Sequence, residues 1–454
     1  MYSITQYVCA AIHMGKIDPE VVIERLEDRH RAKLPELGLN TRRALSESKI
    51  ARARNILFSV ALLIPSFWII LILFDYRLVE GGELPLDSYI FLFVKPLVLV
   101  AIIGFVKVVT VNLYLKRKII DCNDRSDDSS VQNAIIFGGF SPFAGYGNDQ
   151  DGWSFTIDSS KRKDHSSIPI QFDQAELLDY VSKKLNANVA EGKIQDKLFI
   201  RGRCIRRNKI FLADVKGSPT TVVDSNVVKA MIGVVDLDVR HYRLISIPLA
   251  CEQLFLTFFF RSTMLGGNLF VECRSFLLPP LKPELTELNE FPANKGFQYF
   301  YGIFSAKLLL SPFNWIVGLW SIFLMLSRTL SSGSWALFGH PEDKLKLRQE
   351  DYNYGQARSL REAWASKTYQ SYFQLLDKDM VSKTCQHIII NSIVDFLDSK
   401  GIATDDIKER RTQIFNSGVM VSGGTVNAQQ LAVGAGATAK SRISGAFVAD
   451  SNKG

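Results

Sequence analysis

The chain reads as a membrane protein. It carries a two-helix transmembrane hairpin, a cytosolic, sheet-rich α+β domain, a helical C-terminal region and a short β-type oligomerising tail. Three observations predict this. Residues 56–74 and 89–115 are long apolar runs joined by a polar loop at 75–88. At about 1.5 Å rise per residue the first run just crosses a hydrocarbon core of about 30 Å, and the longer second run crosses it with some tilt. Charge brackets the pair: Arg42, Arg43, Lys49, Arg52 and Arg54 precede it and Lys116, Arg117 and Lys118 follow. The loop between holds Asp75, Glu80, Glu83 and Asp87 against one Arg77. Finally, residues 131–285 alternate β-branched and aromatic runs with turn signals and contain few helical stretches.

Each element follows in chain order. Residues 1–50 look like a cytosolic helical segment that packs on a neighbour or on the main body. Asp18-Pro19-Glu20 gives a capping Asp, Pro in the first turn and an acid at the positive end of the helix dipole. The hairpin takes residues 51–118. Unpaired backbone groups are costly in lipid, so both runs are expected to be helical despite Pro65 and Pro96. Both ends of the hairpin fall on the cytoplasmic side because basic flanks stay inside. Lys95 and Lys107 lie within the second run; either their ammonium groups snorkel to the nearest interface or they mark a pathway. Lys107, Thr110 and Asn112 are the pore-lining candidates.

Residues 121–130 are acidic and polar, as in a linker. Within the α+β domain, 131–285, strands are expected at 134–137, 153–158, 197–205, 209–213, 242–248, 254–261 and 267–278, with a helix at 174–185. Gly266-Gly267-Asn268 marks a hairpin turn. Residues 300–330 form a re-entrant or third membrane segment, because Pro312, Asn314 and Gly318 interrupt an otherwise apolar stretch. Residues 345–415 are helical, with Gly401 ending one helix and Thr404-Asp405-Asp406 starting the next. Residues 417–454 form a small-residue tail whose alternating Val and Leu suit stacking between copies; a plain tail without fixed structure is the alternative.

With 454 residues the chain is long enough for two or three domains, and a net charge of +8 suits an anionic ligand or membrane surface. Six cysteines without a CxxC pair and six scattered histidines without HExxH give no disulfide framework and no metal site. No cofactor is expected. Without a nucleophile–base constellation or paired carboxylates, the chain is not read as an enzyme.

The best ligand-binding candidates are Arg201, Arg203, Arg206, Arg207 and Lys209, because guanidinium forks suit phosphate oxygens. Strand alternation would put Arg201 and Arg203 on one face. The loop at 138–147 (GGFSPFAGYG) lacks P-loop or GxGxxG order. Phe140, Phe143, Tyr146 and Trp153 around it either stack on a base or anchor the loop to a core. Arg240-His241-Tyr242-Arg243 offers a structural or ligand-contacting His, and 351–361 a docking segment between subunits or domains.

The strings FGGFSPFAGYG…GWSF (137–155), RHYRLISIP…GGNLFVECRSFLLPPL (240–281), DYNYGQARSLRE (351–362), IVDFLDSKGIATDDIKERRTQIFNSG (393–418) and VSGGTVNAQQLAVGAGATA resemble a bacterial family of largely uncharacterised membrane proteins. Such chains look like the membrane effectors of bacterial anti-phage defence modules, Hailong-type DNA-gated channels being one such type. With the hairpin and the tail, this leads us to expect a homo-oligomer in the inner membrane, multi-pass, with most of the chain cytoplasmic. The topology, the basic cluster at 201–209 and the tail together lead us to expect an ion channel or membrane-disrupting protein controlled by a nucleotide or oligonucleotide, with a partner protein encoded in the same module. The alternative is a non-conducting membrane scaffold that tethers a partner through its C-terminal helices and tail.

Overall fold

Local signals start the N-terminal helices. In α1 (Ile4–Met14), Ser3 and Gln6 form a capping box, and Gly15 ends the helix at φ +79°. Asp18 caps α2 (Pro19–Glu27), and Asn40 caps α3 (Thr41–Ala61) by accepting from the Arg43 amide. The computed structural model describes residues 2–68, 71, 86–120, 132–163, 171–189, 192–286, 320, 323, 327 and 341–409. The tail at 417–454, the linker at 121–130 and all of 300–330 but Trp320, Phe323 and Ser327 lie outside these.

The first apolar run is not a separate helix. It continues α3, which begins in the basic stretch at Thr41. The second is α4 (Leu86–Tyr114), with Pro96 inside it, passing into a π-turn at Leu115–Ile120. Two helical stretches, Thr41–Trp68 and Val94–Ile119, are long and apolar enough to cross a membrane by length and composition. Only 17% and 11% of their most apolar windows is covered, so among the described residues most of that apolar surface has no protein partner. Leu57, Ile64 and Phe67 are each about two-thirds exposed.

At their base the two helices are tied down. Gln6 of α1 and Arg43 of α3 donate to the carbonyls of Ile119 and Lys118, satisfying groups that a helix end leaves open. His13 and the Tyr114 hydroxyl both meet Glu47, at 2.9 and 2.8 Å, and Arg54 meets the other His13 ring nitrogen at 2.8 Å. A neutral imidazole with its proton on Nε2 satisfies both sides of this knot.

The sheet has six strands in the order β1-β3-β4-β5-β6-β2. They are β1 (Ala134–Phe137), β2 (Asn148–Asp158), β3 (Lys193–Arg201), β4 (Val239–Leu249), β5 (Leu254–Leu265) and β6 (Asn268–Leu278). β1 and β3 run parallel, and the other pairs are antiparallel. Gly266 and Gly267, both at positive φ, make the expected β5–β6 turn. β5 is apolar on both faces, as a central strand must be: Phe255 and Phe259 point one way, Leu256, Phe258 and Phe260 the other.

Helices cover both faces. α5 (Gln174–Asn188) and the 28-residue α9 (Tyr372–Ser399) pack Leu177, Val181, Ile389 and Ile393 against Phe258 and Phe260. On the opposite face, α1 and the bases of α3 and α4 share a core with Phe199, Tyr242, Phe259 and Phe276. Residues 4–51 therefore pack on the main body, and the membrane-competent helices rise directly from the core of the sheet. Shorter helices complete the body: α6 (Ser225–Ala230), α7 (Pro341–Arg348) and α8 (Leu360–Ala363).

Two expected strands are corrected. β3 stops at Arg201 rather than continuing to 205, and 209–213 forms turns. The Gly202 amide donates to Phe137 O and its carbonyl accepts from Tyr354, which draws the chain off the ladder. A 3-10 turn at Ile205–Arg207 follows, and Phe211 and Leu212 fold back onto Ile136, Leu198 and Ile200.

Candidate functional site

A cavity of about 680 Å³ opens at the β1–β3–β4 end of the sheet. That volume suits a nucleotide-sized ligand. Phe199 and Tyr242, diagonal to each other across β3 and β4, line its inner wall, with Phe137 beside them. Gly138, Gly139, Phe140 and Pro142 form one lip, Leu237 and Asp238 the other. Three guanidinium groups, Arg201, Arg203 and Arg240, face it against the one carboxylate of Asp238. Arg201 pairs loosely with Asp238 at 3.6 Å, both side chains being about half exposed. Arg203 has no ion pair among the described residues. Such an excess of cationic forks beside an aromatic wall suits phosphate oxygens with a planar group attached.

The aromatic loop divides its labour. Phe143 inserts among Phe199, Tyr242, Phe259 and Phe276, with ring centroids 4.2–5.3 Å apart, and Tyr146 packs edge-on to Phe259. These two anchor the loop. Trp153 stacks on Phe155 on the far face. Phe140 alone is left fully exposed at the lip.

The segment at 351–361 proves to be intramolecular. Gln356 bridges to Phe137 in parallel, Asn353 donates to Gly138 O, and Ala32 donates to Tyr354 O. Gly138, Gly202 and Gly355 meet backbone to backbone, and a Cβ on any of them would run into another segment's main chain. Glu362 then accepts from the Gly145 and Gly147 amides, each at 2.8 Å, and closes a capping box with Ser359. One step deeper, buried Glu36 accepts from the Leu360 and Arg361 amides at the start of α8. Burial pushes its carboxyl up to about 7, against the pull of those two amides. Arg361, fully buried, donates to Gln253 O and Pro279 O, and burial lowers it to about 9.

At the cavity floor the Tyr242 hydroxyl donates to Glu272, and Arg261 lies 5.9 Å from the Tyr242 ring. Burial, then the Glu272 carboxylate, pushes Tyr242 up to about 12, so it stays a donor.

The five basic candidates separate. Arg201 and Arg203 reach the cavity. Arg206 donates to the carbonyls of Lys346 and Gln349, closing the end of α7, while Arg207 and Lys209 stand exposed away from it. The sequence reading missed Arg240 and Asn353 as wall residues. Strand alternation carries the signal for Arg240, but only once β3–β4 register is known. His241 faces the other way, into a network with Asp196 at 3.0 Å. Along α4, at 100° per residue, Lys107 and Thr110 share a face and Asn112 lies roughly opposite Thr110. The Thr110 hydroxyl is turned back to Lys107 O at 2.9 Å. Among the described residues no three His, Cys, Asp or Glu come together as a metal site.

A family model described as an AbeC-like domain matches residues 152–427, more than half of the chain. The chain belongs to the AbeC-like family. That family is associated with abortive infection, and membership points to an anti-phage role. Neither a curated protein nor a solved structure matches. The AbeC-like segment contributes β3, β4 and the arginines of the cavity, while β1, the glycine lip and Glu36 precede it.

Proposed function

We propose that this AbeC-like protein is an abortive-infection effector held in the bacterial inner membrane by the apolar runs at 56–74 and 89–115, with both ends cytoplasmic. A phosphate-rich ligand, a nucleotide or oligonucleotide, docks between Arg201, Arg203 and Arg240. Binding shifts a homo-oligomer from a closed to a conducting packing of its helices, with Lys107 and Thr110 along the path. The protein acts by binding and performs no turnover. A ligand can drive the shift only by binding one packing better than the other.

The observation that carries this reading is continuity. Phe199 and Tyr242 of the cavity wall belong to the same apolar cluster as Val111, Leu115 and Ile119 at the base of α4. Close-packed clusters transmit displacement poorly by flexing and well by switching between arrangements.

The test is flux from dye-loaded liposomes carrying the full-length protein, with ATP and a short single-stranded DNA oligomer as probes. The expected result is ion release driven by a probe and lost in the Arg201→Ala, Arg240→Ala double variant. Release that ignores both probes, or that survives the double variant, overturns the ligand-gated reading.

A further inference from the structure

A second, smaller cavity of about 120 Å³ lies at the N-terminal end of α3. We infer that it is a site for a single soluble hydrogen-phosphate ion, formed by Arg25, Lys33, Arg42 and the side-chain amide of Gln356. Its size excludes a nucleoside. Three cations line it against one carboxylate, Glu36. That carboxyl is already engaged by two backbone amides, and its burial raises it to about 7.

The deciding observation is an orphan. Gln356 is 4% exposed and lines this cavity, yet among the described residues its Nε2 has no hydrogen-bond partner. Gln132 Oε1 on the same wall likewise has no partner among the described residues. Buried amide groups are rarely left so, because the desolvation cost is not recovered. A hydrogen-phosphate group answers both: its oxygens accept from Gln356 and the three cations, and its proton goes to Gln132 Oε1. Sulfate, with no proton at neutral pH, satisfies only the first.

Geometry argues for a soluble source. Thr41 precedes the first apolar run by enough helix to stand roughly 22 Å below the hydrocarbon edge, whereas the headgroup layer is only about 5–7 Å deep. This choice of source, unlike the site itself, rests on the membrane reading. The site is also wired to the larger cavity, because the Gln356 carbonyl accepts from the Gly138 amide at the lip.

The test uses the full-length protein in phosphatidylcholine nanodiscs, titrated calorimetrically with inorganic phosphate and with sulfate at constant ionic strength. Saturable phosphate binding, tighter than sulfate, is expected. It should weaken by about ten-fold or more in Arg42→Ser and Gln356→Leu and be unchanged in the Arg201→Ala, Arg240→Ala pair. Arg42 is exposed, so its variant carries the test if the buried Gln356 variant fails to fold. No saturable binding, equal affinity for sulfate, or binding that survives Arg42→Ser overturns the site. Loss in the Arg201→Ala, Arg240→Ala pair would move it to the larger cavity. Competition by phosphatidic acid added to the nanodisc would overturn the soluble source.

Discussion

The two faces of β4 use the same chemistry to opposite ends. On one face Arg243, 8% exposed at its side chain, forks onto both oxygens of Asp196 at 2.8 and 2.9 Å and also reaches Asp179. His241, beside it, completes the network. Burial alone would raise the Asp196 carboxyl, but hydrogen bonds from His241 and Arg243 outweigh it and hold the group well below the usual carboxylate range. On the other face Arg240 joins Arg201 and Arg203 around open space with a single carboxylate among them. Where every cation meets its carboxylate the arginine is structural; where cations outnumber carboxylates at a concave wall, the surplus is available to a ligand.

The comparison breaks most sharply at Arg243. Arg243→Ala leaves half-buried Asp196 with His241 alone and should cost about 2–3 kcal/mol in chemical denaturation. If it costs no more than a surface change, the closed face is not structural. Gly355→Ala comes next, because its Cβ has only the Phe137 and Gly138 backbone to displace. A loss of similar size is expected, together with weakened probe binding at the rim of the open face.

Glu36 sharpens the contrast with Asp196 through pH. Asp196 is depressed, so its contribution is intact above its unfolded value of about 4 and is lost on acidification. Glu36 is raised to about 7. Its contribution is therefore full below about 4.3 and is lost as pH rises through 7, with a limiting slope of about 1.4 kcal/mol per pH unit. Glu36→Gln should flatten that fall and gain about 1–2 kcal/mol at pH 8, read from denaturation midpoints across pH. The smallest stability effect belongs to the open face: Arg201→Ala with Arg240→Ala should stay within about 0.5 kcal/mol of the parent while abolishing probe binding. A large loss of stability there would make those arginines structural too.

Much of this was legible in the chain. The Asp18-Pro19-Glu20 start, the Gly266-Gly267 turn, the alternation of β4 to β6 and the two apolar runs all report local physics, and each element stands close to where that physics puts it. The site was legible only in pieces. Arg201 and the glycine lip were singled out separately, and nothing local says that Gly138 and Gly202 meet at Gly355. Arg206 looked like a ligand group because a carbonyl partner 140 residues away leaves no trace in composition. Arg240 needed strand register, a long-range property.

The embrace of the N-terminus by the 352–362 segment has a consequence during synthesis. Glu36 receives the Leu360 amide across 324 residues, and Ala32 must find Tyr354 across nearly as many. At the usual 5–20 residues per second, a ribosome needs roughly 16–65 s to deliver the second partner after the first. Throughout that interval α1 and α2 are made but the 352–362 segment is not, and α3 and α4 are already available to the insertion machinery. The nascent N-terminus therefore emerges with its apolar side unclaimed, and its grip on the body is complete only when the Glu36 carboxyl receives the start of α8.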